Sequence, residues 1–122
     1  YFEDNDTARK ILTAETPLAA KRLGRQVKNF DAKLWDMISF RVMYDVNFAK
    51  YSKNPEFKEA LLLTGDREIV EASPYDRIWG VGLGENDLKI LTPFRTRCII
   101  FARRQNKLGK VLMDVRKTLK NM

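Results

Sequence analysis

Glu71 to Leu83 reads Glu-Ala-Ser-Pro-Tyr-Asp-Arg-Ile-Trp-Gly-Val-Gly-Leu, and the reading of the fold turns on this stretch. Its thirteen positions hold two carboxylates, a Tyr, an Arg, a Trp and two glycines. A run so rich in polar and aromatic groups, set on a turn between more regular segments, is suited to hold a small polar ligand. Ser73-Pro74-Tyr75-Asp76 also matches an N-cap, a proline at the first helical position and an acid two residues further on. That is a variant capping box, and it gives Asp76 a purely local role beside any contact with a ligand.

Upstream, Glu68–Ala72 has a β-prone centre in Ile69-Val70, which predicts a short strand delivering Glu71 to the turn. Downstream, Gly80, Gly82 and Gly84 can bring backbone N–H groups close to an anion. The pattern lacks the Lys-Ser/Thr of a P-loop and the strand–turn–helix setting of a dinucleotide site.

Helices account for most of the remainder. Acidic residues at Glu3–Asp6 can cap a short helix through about Ala14, with Ala8, Ile11 and Leu12 inward. Thr16-Pro17 opens a second helix and Gly24 occupies a C′ position. Asp31 caps the longest helix, about Ala32–Tyr51, with Leu34, Trp35, Ile38, Val42, Val46 and Ala49 on one face. Asn54-Pro55 opens a helix through Leu63 that stops at Gly65. Asn106 caps a last helix whose stripe is Leu108, Val111, Leu112, Val115 and Leu119. Leu88–Leu91 and Cys98–Ala102 read as two further short strands. The expected class is α+β, mainly α, in a single domain over residues 1–122.

Composition narrows the chemistry. With one cysteine and no histidine, the usual zinc site and catalysis by Cys/His or Ser/His/Asp are excluded, which leaves carboxylates, Lys, Tyr and backbone groups. No stretch is long and apolar enough for a membrane span, no apolar signal core opens the chain, and Cys98 cannot form an internal disulfide. These features lead to an expectation of a cytoplasmic protein with no membrane partner. The net charge of +7 is local: the run Lys89–Lys110 carries seven bases and no acid, and the rest carries 16 of each sign. That run is either a phosphate or nucleic-acid contact or a solvated basic loop.

Among chemistry-bearing residues, Glu71 and Asp76 can stabilise an oxocarbenium-like centre or activate water. Trp79 and Trp35 can stack on a base or sugar face, or fill the core. Arg25, Arg77, Arg104 and Lys110 can hold phosphate. Asn106 can read an amide or hydroxyl edge, or serve only as a cap.

Four segments and one Trp, taken in order, resemble the NADAR, or YbiA-like, family. They are Ala-Lys-Arg-Leu-Gly-Arg (20–25) followed by Trp35, Leu-Leu-Leu-Thr-Gly (61–65), Ile-Val-Glu-Ala-Ser-Pro-Tyr-Asp-Arg-Ile-Trp-Gly-Val-Gly-Leu (69–83) and Gln-Asn-Lys-Leu-Gly-Lys-Val-Leu-Met-Asp-Val-Arg (105–116). The resemblance implies a mostly helical N-glycosidase domain with a few short strands and no metal or redox cofactor. It implies a ribose-phosphate or ADP-ribose-containing small molecule as substrate, such as a riboflavin-pathway intermediate or an ADP-ribosylated base. Carried over residue by residue, Asp76 and Glu71 become the catalytic candidates, and Trp35, Trp79, Arg25, Asn106 and Gly109 the substrate-binding ones.

Two departures accompany it. Family members open with an Asn-Phe segment and a Ser-Glu-His-Tyr-Phe-Gln-like motif whose Glu is held to be catalytic. Tyr1-Phe2-Glu3-Asp4 matches the stretch after that motif, so the domain is expected to be N-terminally truncated. The family's Trp-x-Gly-Gln-Asn is replaced by Phe101-Ala102-Arg103-Arg104-Gln105-Asn106, and residues 88–104 read as an atypical insertion. The competing readings are a non-catalytic module that binds ADP-ribose or nucleic acid, and an inactive remnant.

Overall fold

The computed structural model describes residues 1–87 and 105–122; the two strands expected at Leu88–Leu91 and Cys98–Ala102, and the insertion at 88–104, lie outside them. Five helices are described: α1 (Asn5–Leu12), α2 (Pro17–Gly24), α3 (Ala32–Lys53), α4 (Pro55–Leu63) and α5 (Lys107–Lys120). The described chain is mainly helical, in compact units of residues 1–38 and 39–122.

In the first unit, α1 and α2 pack on each other. Asp4 caps α1 by accepting the Thr7 N–H at 3.1 Å, and its second oxygen accepts the Lys28 N–H at 2.9 Å. One carboxylate thus joins the start of α1 to the loop after α2. The expected inward face of α1 is only partly realised. Thr7 is buried and Ile11 half-buried, but Ala8 and Leu12 are exposed. The Thr16 hydroxyl caps α2 through the Ala19 N–H at 3.1 Å. Gly24 is the last helical residue and Arg25 the C-cap, so no left-handed glycine ends this helix. Asp31 opens α3 as expected, accepting from Lys33 and Leu34 at 2.9 and 3.1 Å.

In the second unit, the core is built from Leu61 of α4 and Val111, Val115 and Leu119 of α5. Val111 and Val115 are completely buried, so the apolar stripe expected for α5 is the one observed. On α3 the packed face is Phe40, Met43, Tyr44, Phe48 and Tyr51, not the face through Val42 and Val46. Val46 is exposed. Both faces of α3 are apolar at helical spacing, and the one bearing aromatic rings offers more area to remove from water. The Tyr44 hydroxyl meets the Thr118 hydroxyl at 2.7 Å, which fixes α3 against α5.

Asn54 precedes α4 but does not cap it with its side chain; its Nδ2 donates back to the Lys50 carbonyl at 2.6 Å. Beyond α4, Gly65 turns the chain at φ +61°, a left-handed conformation that glycine adopts without strain. The turn is braced by the guanidinium of Arg116, which is buried and donates to Thr64 Oγ1 at 2.7 Å and the Arg67 carbonyl at 2.8 Å.

No strand forms at Glu68–Ala72, although the residues are β-prone. The hydrogen-bonding partner they find is a side-chain amide, described below.

Asp4 is held down to about 2, first by the Lys28 N–H, then by the hydrogen bonds from Thr7. A carboxylate with a lowered pKa stabilises the fold fully above its ordinary range, near 3.8, and loses that contribution as pH falls through about 2. The amide resonance of Lys28 is therefore expected to titrate with a midpoint near 2. A midpoint in the ordinary carboxylate range would show that this hydrogen bond does not form.

Candidate functional site: the loop on the last helix

Residues 71–83 form no regular element, and no helix starts at Ser73. The capping box expected there is not built. Asp76 instead accepts the N–H groups of Ile78 and Trp79, both at 2.9 Å, with Oδ1. The acid thus caps the turn that follows it, not one that precedes it.

Inside the loop, the Glu71 carbonyl accepts the N–H groups of Ser73 and Val81, each at 3.0 Å, and the Asp76 carbonyl accepts that of Gly82 at 2.9 Å. The amides of Val81 and Gly82, read from sequence as donors to an anion, are therefore engaged by loop carbonyls. Val81 and Leu83 are buried.

The glycines serve close approach. A Cβ on Gly80 would stand 2.9 Å from the carbonyl oxygens of both Glu71 and Asp76. Gly82 sits at φ +61°, where a Cβ would meet Arg77 Cγ at 2.7 Å.

The loop docks on the start of α5 through four backbone bonds. Arg77 O accepts from Gln105 N–H at 3.0 Å, Ile78 O from Lys107 at 3.0 Å, Trp79 O from Leu108 at 3.1 Å and Gly80 O from Asn106 at 3.3 Å. A helix N-terminus leaves its first N–H groups without intrahelical partners. Here loop carbonyls fill that need for Lys107 and Leu108.

Asn106 lies at the head of α5 in a left-handed conformation, φ 44° and ψ 42°, and makes no side-chain cap. Its buried amide instead donates to the Ile69 carbonyl at 3.0 Å and accepts the Glu71 N–H at 3.1 Å. Gly109 lets these groups converge: a Cβ there would lie 2.2 Å from Ile69 O and 2.4 Å from Asn106 Nδ2.

Of the residues singled out from sequence, Glu71, Asp76, Trp79, Asn106 and Gly109 share this junction. Glu71 has an exposed side chain, and Trp79 is half-buried against the core with Lys107 Nζ 5.9 Å from its ring centre. Trp35 and Arg25 belong to the first unit. There Trp35 meets the ring of Phe2 at 6.4 Å and Arg25 is exposed beyond α2. A cleft of about 630 Å³ in that unit runs beside Phe2, Asp4, Ile11 and Val27, and neither Trp35 nor Arg25 lines it.

The structure adds Tyr75 to the residues presented by the loop. The residue is 97% exposed, and Arg77, two positions on, is exposed as well. Glu71, Arg77 and Tyr75 are thus each exposed on the loop: a carboxylate, a cation and an aromatic ring. Among the described residues no three metal-ligating side chains come together, and no helix is long and apolar enough to cross a membrane.

This chain belongs to the NADAR domain family, whose pattern it matches over residues 1–120. It is 37% identical over 115 residues to N-glycosidase R617 of Acanthamoeba polyphaga mimivirus, a match covering 94% of this chain and 64% of the viral protein. Similarity extends to N-glycosidase Npun_R5314 of Nostoc punctiforme, 32% identical over 112 residues, with 92% and 61% covered. The riboflavin biosynthesis protein PYRR of Arabidopsis thaliana is 32% identical over 115 residues, 91% of this chain and 16% of the plant protein. The chain thus spans under two thirds of the length of these relatives. The family resemblance read from the sequence is borne out.

Two glycine substitutions test the packing. Gly109→Ala should destabilise by about 1–3 kcal/mol, because overpacking outweighs the roughly 1 kcal/mol gain in helix propensity. Gly24→Ala, where nothing lies within 4 Å of a new Cβ, should stabilise by about 0.4–1 kcal/mol. Urea unfolding of both variants measures the contrast; equal effects would contradict the close approach at Gly109.

Proposed function

We propose that this chain carries N-glycosidase chemistry, hydrolysing the N-glycosidic bond of a ribose phosphate, either a riboflavin-pathway intermediate or an ADP-ribosylated base. The observation that carries the reading is Glu71: within a NADAR domain, its carboxylate is exposed while its own peptide N–H and C=O are both bound. A carboxylate on so fixed a backbone is suited to oppose charge at a defined point in space.

In the proposed reaction the bond between the anomeric carbon and the base nitrogen breaks, and its electron pair leaves with the base. The ring oxygen shares the positive charge that develops, and the Glu71 carboxylate stabilises it and draws a proton from water. The water oxygen bonds the anomeric carbon. The proton passes to the departing nitrogen, giving the unmodified base together with ribose phosphate from the first substrate or ADP-ribose from the second. In this reading Arg77 meets the phosphate and Tyr75 stacks on the base. Asp76 acts on this chemistry by holding the turn that carries Arg77 and Trp79.

The test is release of the amino-pyrimidine from a phosphoribosylamino-pyrimidine, and of ADP-ribose from ADP-ribosylated DNA, by the chain. Glu71→Gln should lower turnover about 100-fold or more, with stability unchanged because the side chain is exposed. Asp76→Asn keeps an oxygen acceptor for the two N–H groups and should lose less turnover than Asp76→Ala. No release from either substrate would reject the reading.

A further inference from the structure

We infer that Asn106 is a positioning residue for Glu71: its side-chain amide takes the place of a neighbouring β-strand and so fixes the direction of that carboxylate. The inference rests on the proposed role of Glu71 and concerns a residue that family resemblance would place in contact with substrate.

The geometry resembles that of a parallel ladder. There, a residue on one strand bonds the C=O before and the N–H after the residue it faces on the next strand. Asn106 bonds Ile69 O at 3.0 Å and the Glu71 N–H at 3.1 Å, the two groups on either side of Val70. One planar amide thus serves as the whole partner of the segment.

The partner is itself fixed. The Asn106 N–H is bound to Gly80 O at 3.3 Å, and the Asn106 carbonyl accepts the Lys110 N–H at 3.1 Å. The residue is 7% exposed, and its left-handed backbone is one that Asn tolerates better than most residues. On its other side, the Glu71 carbonyl takes two N–H groups at 3.0 Å. Gly80 leaves the space beside the side chain open, since a Cβ there would come within 3.2 Å of Glu71 Cγ. Both peptide planes of Glu71 are therefore held, and Asn106 holds the first.

The residue type follows from the bonding. The site needs one donor and one acceptor on a short planar group. An Asp carboxylate would accept from Glu71 but set a second oxygen against Ile69 O. Ala would leave both backbone groups unpaired in a buried place.

The experiment compares the chain with its Asn106→Asp variant by turnover of a phosphoribosylamino-pyrimidine, by urea unfolding and by side-chain couplings of Glu71 measured by NMR. In the parent chain, Glu71 should occupy one χ1 rotamer. In the variant the rotamers should average and kcat fall about 100-fold, the loss associated with a misplacement of about 1 Å, while KM changes less than about 3-fold. Lowering the pH should restore part of the kcat ratio, because a protonated carboxyl again offers a donor and an acceptor. A folded variant with unchanged kcat would overturn the inference, as would rotamer averaging of Glu71 in the parent chain. If the variant does not fold, the parent couplings decide. No turnover in the parent chain, with Glu71 in one rotamer there and averaged in the variant, would sink the glycosidase reading and leave the positioning device standing.

Discussion

Four carbonyl groups, from Arg77 to Gly80, meet the N–H groups of Gln105 to Leu108, and the second unit depends on that meeting. A helix start needs acceptors, and an irregular loop needs donors for its carbonyls. Each answers the other here. The core beneath, with Val111 and Val115 fully buried, holds α5 in register for the match. Asn106 and Gly109 extend the junction by one more segment, bringing Ile69 to Glu71 against the same helix end.

This arrangement changes what the polar loop can offer a ligand. The helix N-terminus and the Gly-Val-Gly amides are the groups that sequence reasoning favours for anions. Lys107, Leu108, Val81 and Gly82 instead donate to the protein's own carbonyls. What faces outward is a set of side chains, Glu71, Tyr75 and Arg77, on a backbone closed upon itself. The loop is a rigid mount for side chains, with the backbone as its frame.

Helix boundaries were legible where a local signal sufficed. Asp31, Thr16-Pro17 and Asn54-Pro55 each start a helix at the expected position, since caps act within a few residues. Failures came where a distant partner decided. Ile69-Val70 reads as a strand because both residues are β-branched, but the segment's partner is one side chain 35 residues or more away. Ser73-Pro74 reads as a cap because its residue types fit one, but the Asp76 carboxylate that would complete the box accepts the Ile78 and Trp79 N–H groups instead. The packed face of α3 was misread because both faces are apolar at helical spacing. Of the seven candidates read from sequence, Glu71, Asp76, Trp79, Asn106 and Gly109 share one junction, while Trp35 and Arg25 belong to the first unit. The division of labour among those at the junction was not legible, because it depends on which polar atoms are already bound.

The contact between Glu71 and Asn106 also bears on how the chain matures. A polypeptide made from its N-terminus releases Glu71 well before the residue that will hold it, 35 positions later. Through that interval the Glu71 loop lacks its partner, while α4 has the local bonds of a helix. The loop can take its final form only once the head of α5 has emerged and found it, and closing so long a span is entropically costly. Any chain released before Asn106 would therefore contain every residue of the polar loop without the means to shape it.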